Sequence, residues 1–139
     1  MKVNELMIGD WVNTPKGNYQ IDCIQDNDVV GTTYNNGEGV ESLFHINKIE
    51  PIPITTEILK KNGFVANKHV YPYPYYEYIN EEDKLKIGFA FPQGNRTSYK
   101  EPWVYIETEC VFIEHLPCIF VHQLQQALRL CEIDKTIEL

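Results

Sequence analysis

The first 53 residues consist of short apolar runs separated by tight turn signals, and this pattern limits the fold more than any other feature of the chain. Residues 5–12 and 19–24 predict two strands, because the turn residues 15–18 separate them and residues 19–24 alternate with period two. A bend is expected at Gly9-Asp10 within the first of these runs. A strong hairpin turn follows at 35–39, where Asn and Gly tolerate a positive φ. We therefore expect four or five short strands that form an SH3-like small β-barrel over residues 1–53.

A Pro-Ile-Pro sequence at 51–53 marks the end of this barrel, since proline cannot continue a sheet ladder. The second predicted domain covers residues 54–139 and begins with a helix that Thr55 caps and Gly63 terminates in the left-handed conformation. An antiparallel sheet and a terminal helix are expected to follow, which makes the predicted class α+β. The candidate strands are Tyr75–Asn80, Lys84–Phe91, Trp103–Glu107 and Cys110–Leu116.

The chain is acidic, with 12 Lys and Arg residues against 20 Asp and Glu residues and a net charge of −8. Nonspecific nucleic-acid binding depends mainly on Lys and Arg, so this composition disfavours a nucleic-acid partner. It fits either an ordinary soluble protein or a protein that binds a basic partner. No apolar leader follows Met1-Lys2, and no run of about 18 apolar residues occurs. We therefore expect a cytoplasmic protein with no membrane partner, in which the four cysteines remain thiols.

The polar side of the expected terminal helix, from about Val121 to Glu132, carries the main candidates for binding. His122, Gln125, Gln126 and Arg129 fall on this side, opposite an apolar face that consists of Val121, Leu124, Ala127, Leu128 and Cys131. Such polar side chains can contact a carboxylate, a phosphate or the backbone of a partner. The alternatives are that they face water, or that the His and Gln residues hydrogen-bond the neighbouring sheet.

Three segments of the chain together resemble a family of small uncharacterised proteins encoded by prophages and conjugative elements of gut Bacteroidetes. The segments are the start, Val3-Asn4-Glu5-Leu6-Met7-Ile8-Gly9-Asp10-Trp11-Val12, the middle, residues 54–64, and the end, Val121-His122-Gln123-Leu124-Gln125-Gln126-Ala127-Leu128. Family members have a similar LRIGNWV start, a T-x-E-x-L-x-x-x-G-F middle and a V-H-Q-L-Q end. The resemblance implies a setting among the accessory genes of mobile elements, and it carries over no catalytic residues.

Two further groups of residues have unusual composition. Four potential zinc ligands fall within 13 residues, namely Cys110, His115, Cys118 and His122, but their spacing matches no known zinc-binding motif. A buried Cys pair with two unrelated histidines is the simpler interpretation, so no metal or cofactor is expected. The tyrosine-rich run 71–78 predicts either an exposed strip that stacks bases or captures a peptide, or an edge strand whose rings cover the core.

No nucleotide-binding loop, nucleophile motif or metalloprotease motif occurs, so no catalytic residue is assigned. The sequence favours a non-catalytic protein-interaction module, whose barrel would bind through the rings of Trp11, Tyr19, Tyr34 and Phe44. A nucleic-acid-associated protein is the first alternative, and it requires a basic surface assembled from Lys60, Lys61, Lys68 and Lys100. An unrecognised enzyme that uses His122 or His115 is the second alternative.

Overall fold

A computed structural model describes residues 1–33, 42–67, 75–91 and 101–139. The chain has a mixed α/β fold with antiparallel sheets and two helices. Its contacts divide it into two compact units. The first consists of Met1–Pro53 and Phe120–Leu130, and the second consists of Ile54–Ile119 and Cys131–Leu139.

The first unit contains a five-stranded antiparallel sheet in the order β4-β3-β2-β1-β5. The strands are β1, Trp11–Thr14; β2, Gly17–Gln25; β3, Val29–Thr33; β4, Ser42–His45; and β5, Glu50–Pro51. Short 3₁₀ turns cover Val3–Glu5 and Ile46–Lys48. No pairing joins β4 to β5 among the described residues, so no closed barrel is found there. The core of this sheet consists of Leu6, Val12, Ile21, Val30, Ile46 and Ile49.

The bend expected at Gly9-Asp10 is confirmed, but the strand predicted over residues 5–12 is too long, because β1 begins only at Trp11. Residues 7–10 form a turn in which the Met7 N–H donates to Asp10 Oδ2 at 2.8 Å and the Asp10 N–H donates to the Met7 carbonyl at 3.1 Å. Gly9 has a φ of +88° within this turn, a conformation that glycine adopts without a steric penalty. The turn directs the Asp10 carboxylate into the protein, where it is fully buried.

The second unit contains the helix α1, Thr56–Lys61, and a sheet in the order β10-β9-β8-β7-β6. Its strands are β6, Val65–Ala66; β7, Tyr75–Asn80; β8, Leu85–Ala90; β9, Trp103–Glu107; and β10, Phe112–Pro117. The four predicted strands of this sheet are therefore confirmed to within two residues. The Thr55 cap is also confirmed, since Thr55 Oγ1 accepts the Ile58 N–H at 3.3 Å, and Gly63 has a φ of +84°.

The terminal helix α2 covers Val121–Leu130 and belongs by its contacts to the first unit. The predicted division at residue 53 instead assigned this helix to the range 54–139. The physical reason for the difference is a set of backbone bonds at the start of the helix, including the Val121 N–H to the Ile52 carbonyl at 2.8 Å, and a polar junction along its side. In the described part of the chain, neither helix has the length and apolar character needed to cross a bilayer.

Candidate binding groove beside the terminal helix

The polar side of α2 is bonded to the N-terminal turn of the first unit. Gln125 Oε1 accepts the Trp11 N–H at 2.9 Å, and Gln125 Nε2 donates to the Gly9 carbonyl at 3.1 Å. Gln126 Nε2 donates to the Glu5 carbonyl at 2.8 Å. The alternative in which the His and Gln residues bond the neighbouring sheet is met only by Gln125, at Trp11 of β1. The other two of these glutamine bonds reach the backbone before that strand, and His122 Nδ1 has no partner.

Asp10 is the centre of this junction. Its Oδ1 accepts Arg129 Nη1 at 2.7 Å, and its Oδ2 accepts Gln126 Nε2 at 2.7 Å and the Met7 N–H at 2.8 Å. A buried carboxylate needs such partners, because removing a charge from water without them is costly. Gln125, Gln126 and Arg129 are thus occupied in holding two distant parts of the chain together, and we call these residues with Asp10 the Asp10 network.

His122 lies on the same helix but takes no part in this network. Its side chain is only 4% exposed, and Nδ1 has no hydrogen-bond partner. The imidazole lies parallel to the Phe120 ring, with an interplanar angle of 8° and 5.8 Å between centroids. Burial lowers the pKa of His122 below its ordinary value, while the negative charges of Asp10 and Glu5 act in the opposite direction. The neutral imidazole therefore dominates near neutral pH.

An open cavity of about 430 Å³ adjoins this imidazole. We call it the His122 groove, and its lining residues are Met1, Glu5, Pro51, Phe120, His122, Gln123 and Gln126. The groove is partly apolar, and Glu5 supplies its one side-chain charge. Its size is at the lower end of ordinary ligand pockets, and a few polar groups in an apolar cleft are typical of binding sites.

The rings expected to form a barrel groove do not lie on one face. Val12 pairs directly with Tyr19 and Val30 with Phe44, so Tyr19 and Phe44 lie on the core face of the sheet. Trp11 pairs with Gln20, which puts the indole on the opposite face, where it is 6% exposed. Tyr34 lies outside the described residues. The structure therefore does not bring Trp11 together with Tyr19 and Phe44.

The half-buried rings of Tyr19 and Phe44 both have contacts with Lys16. The Tyr19 hydroxyl donates to the Lys16 carbonyl at 3.2 Å, and Lys16 Nζ lies 6.0 Å from the centroid of the Phe44 ring. Phe44 also packs against the core of the first unit. Phe44 thus has a packing role at the edge of that core.

The other three potential zinc ligands, Cys110, His115 and Cys118, lie in the second unit. Cys110 is exposed, whereas Cys118 is buried, and burial raises the pKa of the Cys118 thiol to about 12. His115 has a φ of +54° at an irregularity of β10, and its ring centroid lies 4.4 Å from that of Trp103. Within the four described ranges, no three His, Cys, Asp or Glu side chains are grouped closely enough to hold a metal ion.

The tyrosine-rich run is only partly described, because residues 71–74 lie outside the described ranges. Tyr75 and Tyr76 are 4% and 9% exposed, so neither ring belongs to an exposed strip. Tyr75 packs in a small cluster with Ala90 and Trp103. For these two tyrosines, the structure agrees with the interpretation that the rings cover the core.

The sequence interpretation missed Asp10, Glu5 and Phe120. Asp10 had one available signal, namely an acid beside Gly9 at the end of an apolar run, with a single Arg on the polar side of a predicted helix. Glu5 had no comparable signal, because only the folded chain brings it to His122, whereas Phe120 is two residues from His122 in the sequence. No protein-family profile, no curated protein and no solved structure matches this chain.

Proposed function

We propose that this protein is a non-catalytic protein-interaction module, and that the His122 groove binds a segment of its partner. The observation that carries the proposal is His122, a residue that lines an open cavity while its Nδ1 atom is buried and has no hydrogen-bond partner. Buried polar atoms almost always have a partner, so an exception at the wall of a groove favours a group supplied from outside. Phe120 and Pro51 supply the apolar surface that a peptide segment needs.

The lining of the groove favours a protein over a nucleic acid. None of the lining side chains is Lys or Arg, and Glu5 would repel a phosphate. Of the lysines on which the nucleic-acid alternative depends, Lys60 and Lys61 are exposed on α1, and Lys68 and Lys100 lie outside the described ranges. The groove also lacks a Ser, Thr, Cys or Lys nucleophile beside His122, which disfavours covalent catalysis.

We further propose that the first unit is an SH3-like barrel. The strand order supports this assignment, because β5 returns to pair with β1 after a 3₁₀ turn at the end of a four-strand meander. The resemblance to proteins of prophages and conjugative elements makes a cytoplasmic protein of the bacterial host the first partner to test.

Partner capture with matched variants tests the proposal. The chain carries a C-terminal tag, since Met1 lines the groove, and nuclease-treated host lysate is passed over wild type, Phe120→Ala and Phe112→Ala. Phe112 is the matched control because its ring is 60% exposed on the second sheet. We expect a stoichiometric protein that wild type and Phe112→Ala retain and Phe120→Ala loses. Equal retention by all three chains, or no captured protein, would contradict the proposal.

A further inference from the structure

The His122 groove combines a flat aromatic surface with a carboxylate. Phe120 and His122, whose rings are parallel, both line the groove, and the exposed residue Glu5 lines the same cavity. Glu5 Oε2 accepts the Lys2 backbone N–H at 3.2 Å, and Oε1 has no partner among the described residues. The Glu5 carboxylate is therefore accessible to a ligand in the groove, whereas the unpartnered His122 Nδ1 is buried.

These groups match the chemistry of a guanidinium ion. Guanidinium is planar, stacks on aromatic faces and has five N–H donors in a fixed fork. It binds a carboxylate through charge-assisted hydrogen bonds. An ammonium group lacks both the flat face and the fork, so a lysine side chain makes fewer of these contacts than an arginine side chain.

We propose that the His122 groove recognises an arginine side chain of the partner, whose guanidinium pairs with the Glu5 carboxylate and packs against the rings of Phe120 and His122. This inference rests on the proposed function and adds the chemical class of the recognised group. Charge complementarity supports it, because Glu5 is the one side-chain charge of the lining and the chain has a net charge of −8. Such a field also attracts basic segments during encounter.

A titration of the full chain with two small probes tests this inference. The probes are N-acetyl-arginine methylamide and N-acetyl-citrulline methylamide, which has nearly the same shape but no charge. Nuclear magnetic resonance of the His122 imidazole and of the Phe120 and Gln123 amides reports on binding in the groove. We expect saturable shifts with the arginine probe at concentrations up to about 50 mM, and affinity for the citrulline probe that is weaker by about fivefold or more.

Variants of two glutamates test whether the preference for the charged probe depends on the Glu5 carboxylate. Glu5→Gln keeps the shape of the side chain and its ability to accept the Lys2 N–H, and we expect it to reduce the arginine affinity to the citrulline level. Glu81→Gln removes an exposed charge from the second unit and should leave the affinity unchanged. Equal affinity for the two probes, shifts outside the groove, or no saturable shift would overturn the inference.

The capture experiment separates failure of this inference from failure of the proposed function. A partner that is lost by Phe120→Ala but fully retained by Glu5→Gln would leave the interaction module in place and reject arginine recognition. A partner that both variants retain would reject the groove itself. Loss with both variants, together with retention by Glu81→Gln, is the result expected from arginine recognition.

Discussion

Asp10 and Arg129 form an ion pair of 2.7 Å across 119 residues of sequence, in which the Asp10 side chain is fully buried and the Arg129 side chain is 35% exposed. The pair joins the turn before β1 to the last full turn of α2. With Gln125 and Gln126 it explains why the terminal helix belongs to the first unit. The same helix also carries His122 at the wall of a groove, so its two ends have different roles.

The Asp10 carboxylate should contribute strongly to stability. In Asp10→Asn, the amide N–H₂ would face the N–H groups that now donate to the carboxylate, and Arg129 would lose its counterion. We expect the free energy of unfolding to fall by about 2–3 kcal/mol, measured by urea denaturation. Lys84→Gln is the control, because the Lys84–Glu109 pair is 69% and 63% exposed and should contribute less than about 1 kcal/mol. Similar losses in both variants would contradict a special role for Asp10.

The bonds of Gln125 give a second prediction. Gln125→Leu removes the acceptor for the Trp11 N–H and the donor to the Gly9 carbonyl, and should lower the free energy of unfolding by about 1–3 kcal/mol. Gln25→Leu makes the same chemical change at an exposed residue of β2 and should change it by no more than about 0.5 kcal/mol. If Gln125→Leu is as stable as wild type, the contacts of Gln125 are incidental.

The burial of His122 predicts a pH dependence of stability. Because burial lowers the pKa of His122 below 6.5, the unfolded chain binds the proton more strongly than the folded chain. The contribution of His122 to stability is therefore fully present above about pH 6.5 and decreases as the pH falls toward the lowered pKa. Wild type should lose more stability than His122→Phe between about pH 7.5 and about pH 5.5 in denaturant unfolding. Parallel pH profiles of the two chains would rule this out.

Gly88 has no room for a side chain. A methyl group there would overlap the Tyr75 hydroxyl and would lie 2.6 Å from the ring carbon that bears it. Gly88→Ala should therefore reduce the free energy of unfolding by about 1–3 kcal/mol. In a Tyr75→Ala background the same substitution should cost far less, since the obstructing ring is gone. An equal cost in both backgrounds would show that the effect comes from the backbone and not from Tyr75.

The sequence predicted the local elements of the second unit well. Leu85, Ile87 and Phe89 alternate with less apolar residues, and this spacing determines a strand whatever packs against it. The ends of α1 were predictable for the same reason, since Thr55 and Gly63 act on their own backbone neighbours. These predictions needed no knowledge of contacts between distant residues.

The sequence could not predict which unit the terminal helix joins. Gln125 and Arg129 look like solvent-facing residues until the turn at Gly9 directs Asp10 toward them. Trp11 and Val12 are both apolar, so alternation alone does not say which of the two faces the core. The groove was unpredictable for a related reason, because Glu5 and His122 are brought together only by this helix.

Site-specific photocrosslinking at Gln123 tests the central claim, protein binding in the His122 groove, most directly. Gln123 lines the groove and is half-buried, so a photoreactive amino acid at this position would touch a bound segment. Ile79 is the control position, because it is 57% exposed on the second sheet. After irradiation in host cells, we predict one discrete crosslinked protein from position 123 and none from position 79. The same product from both positions, or no product from position 123, would contradict the claim.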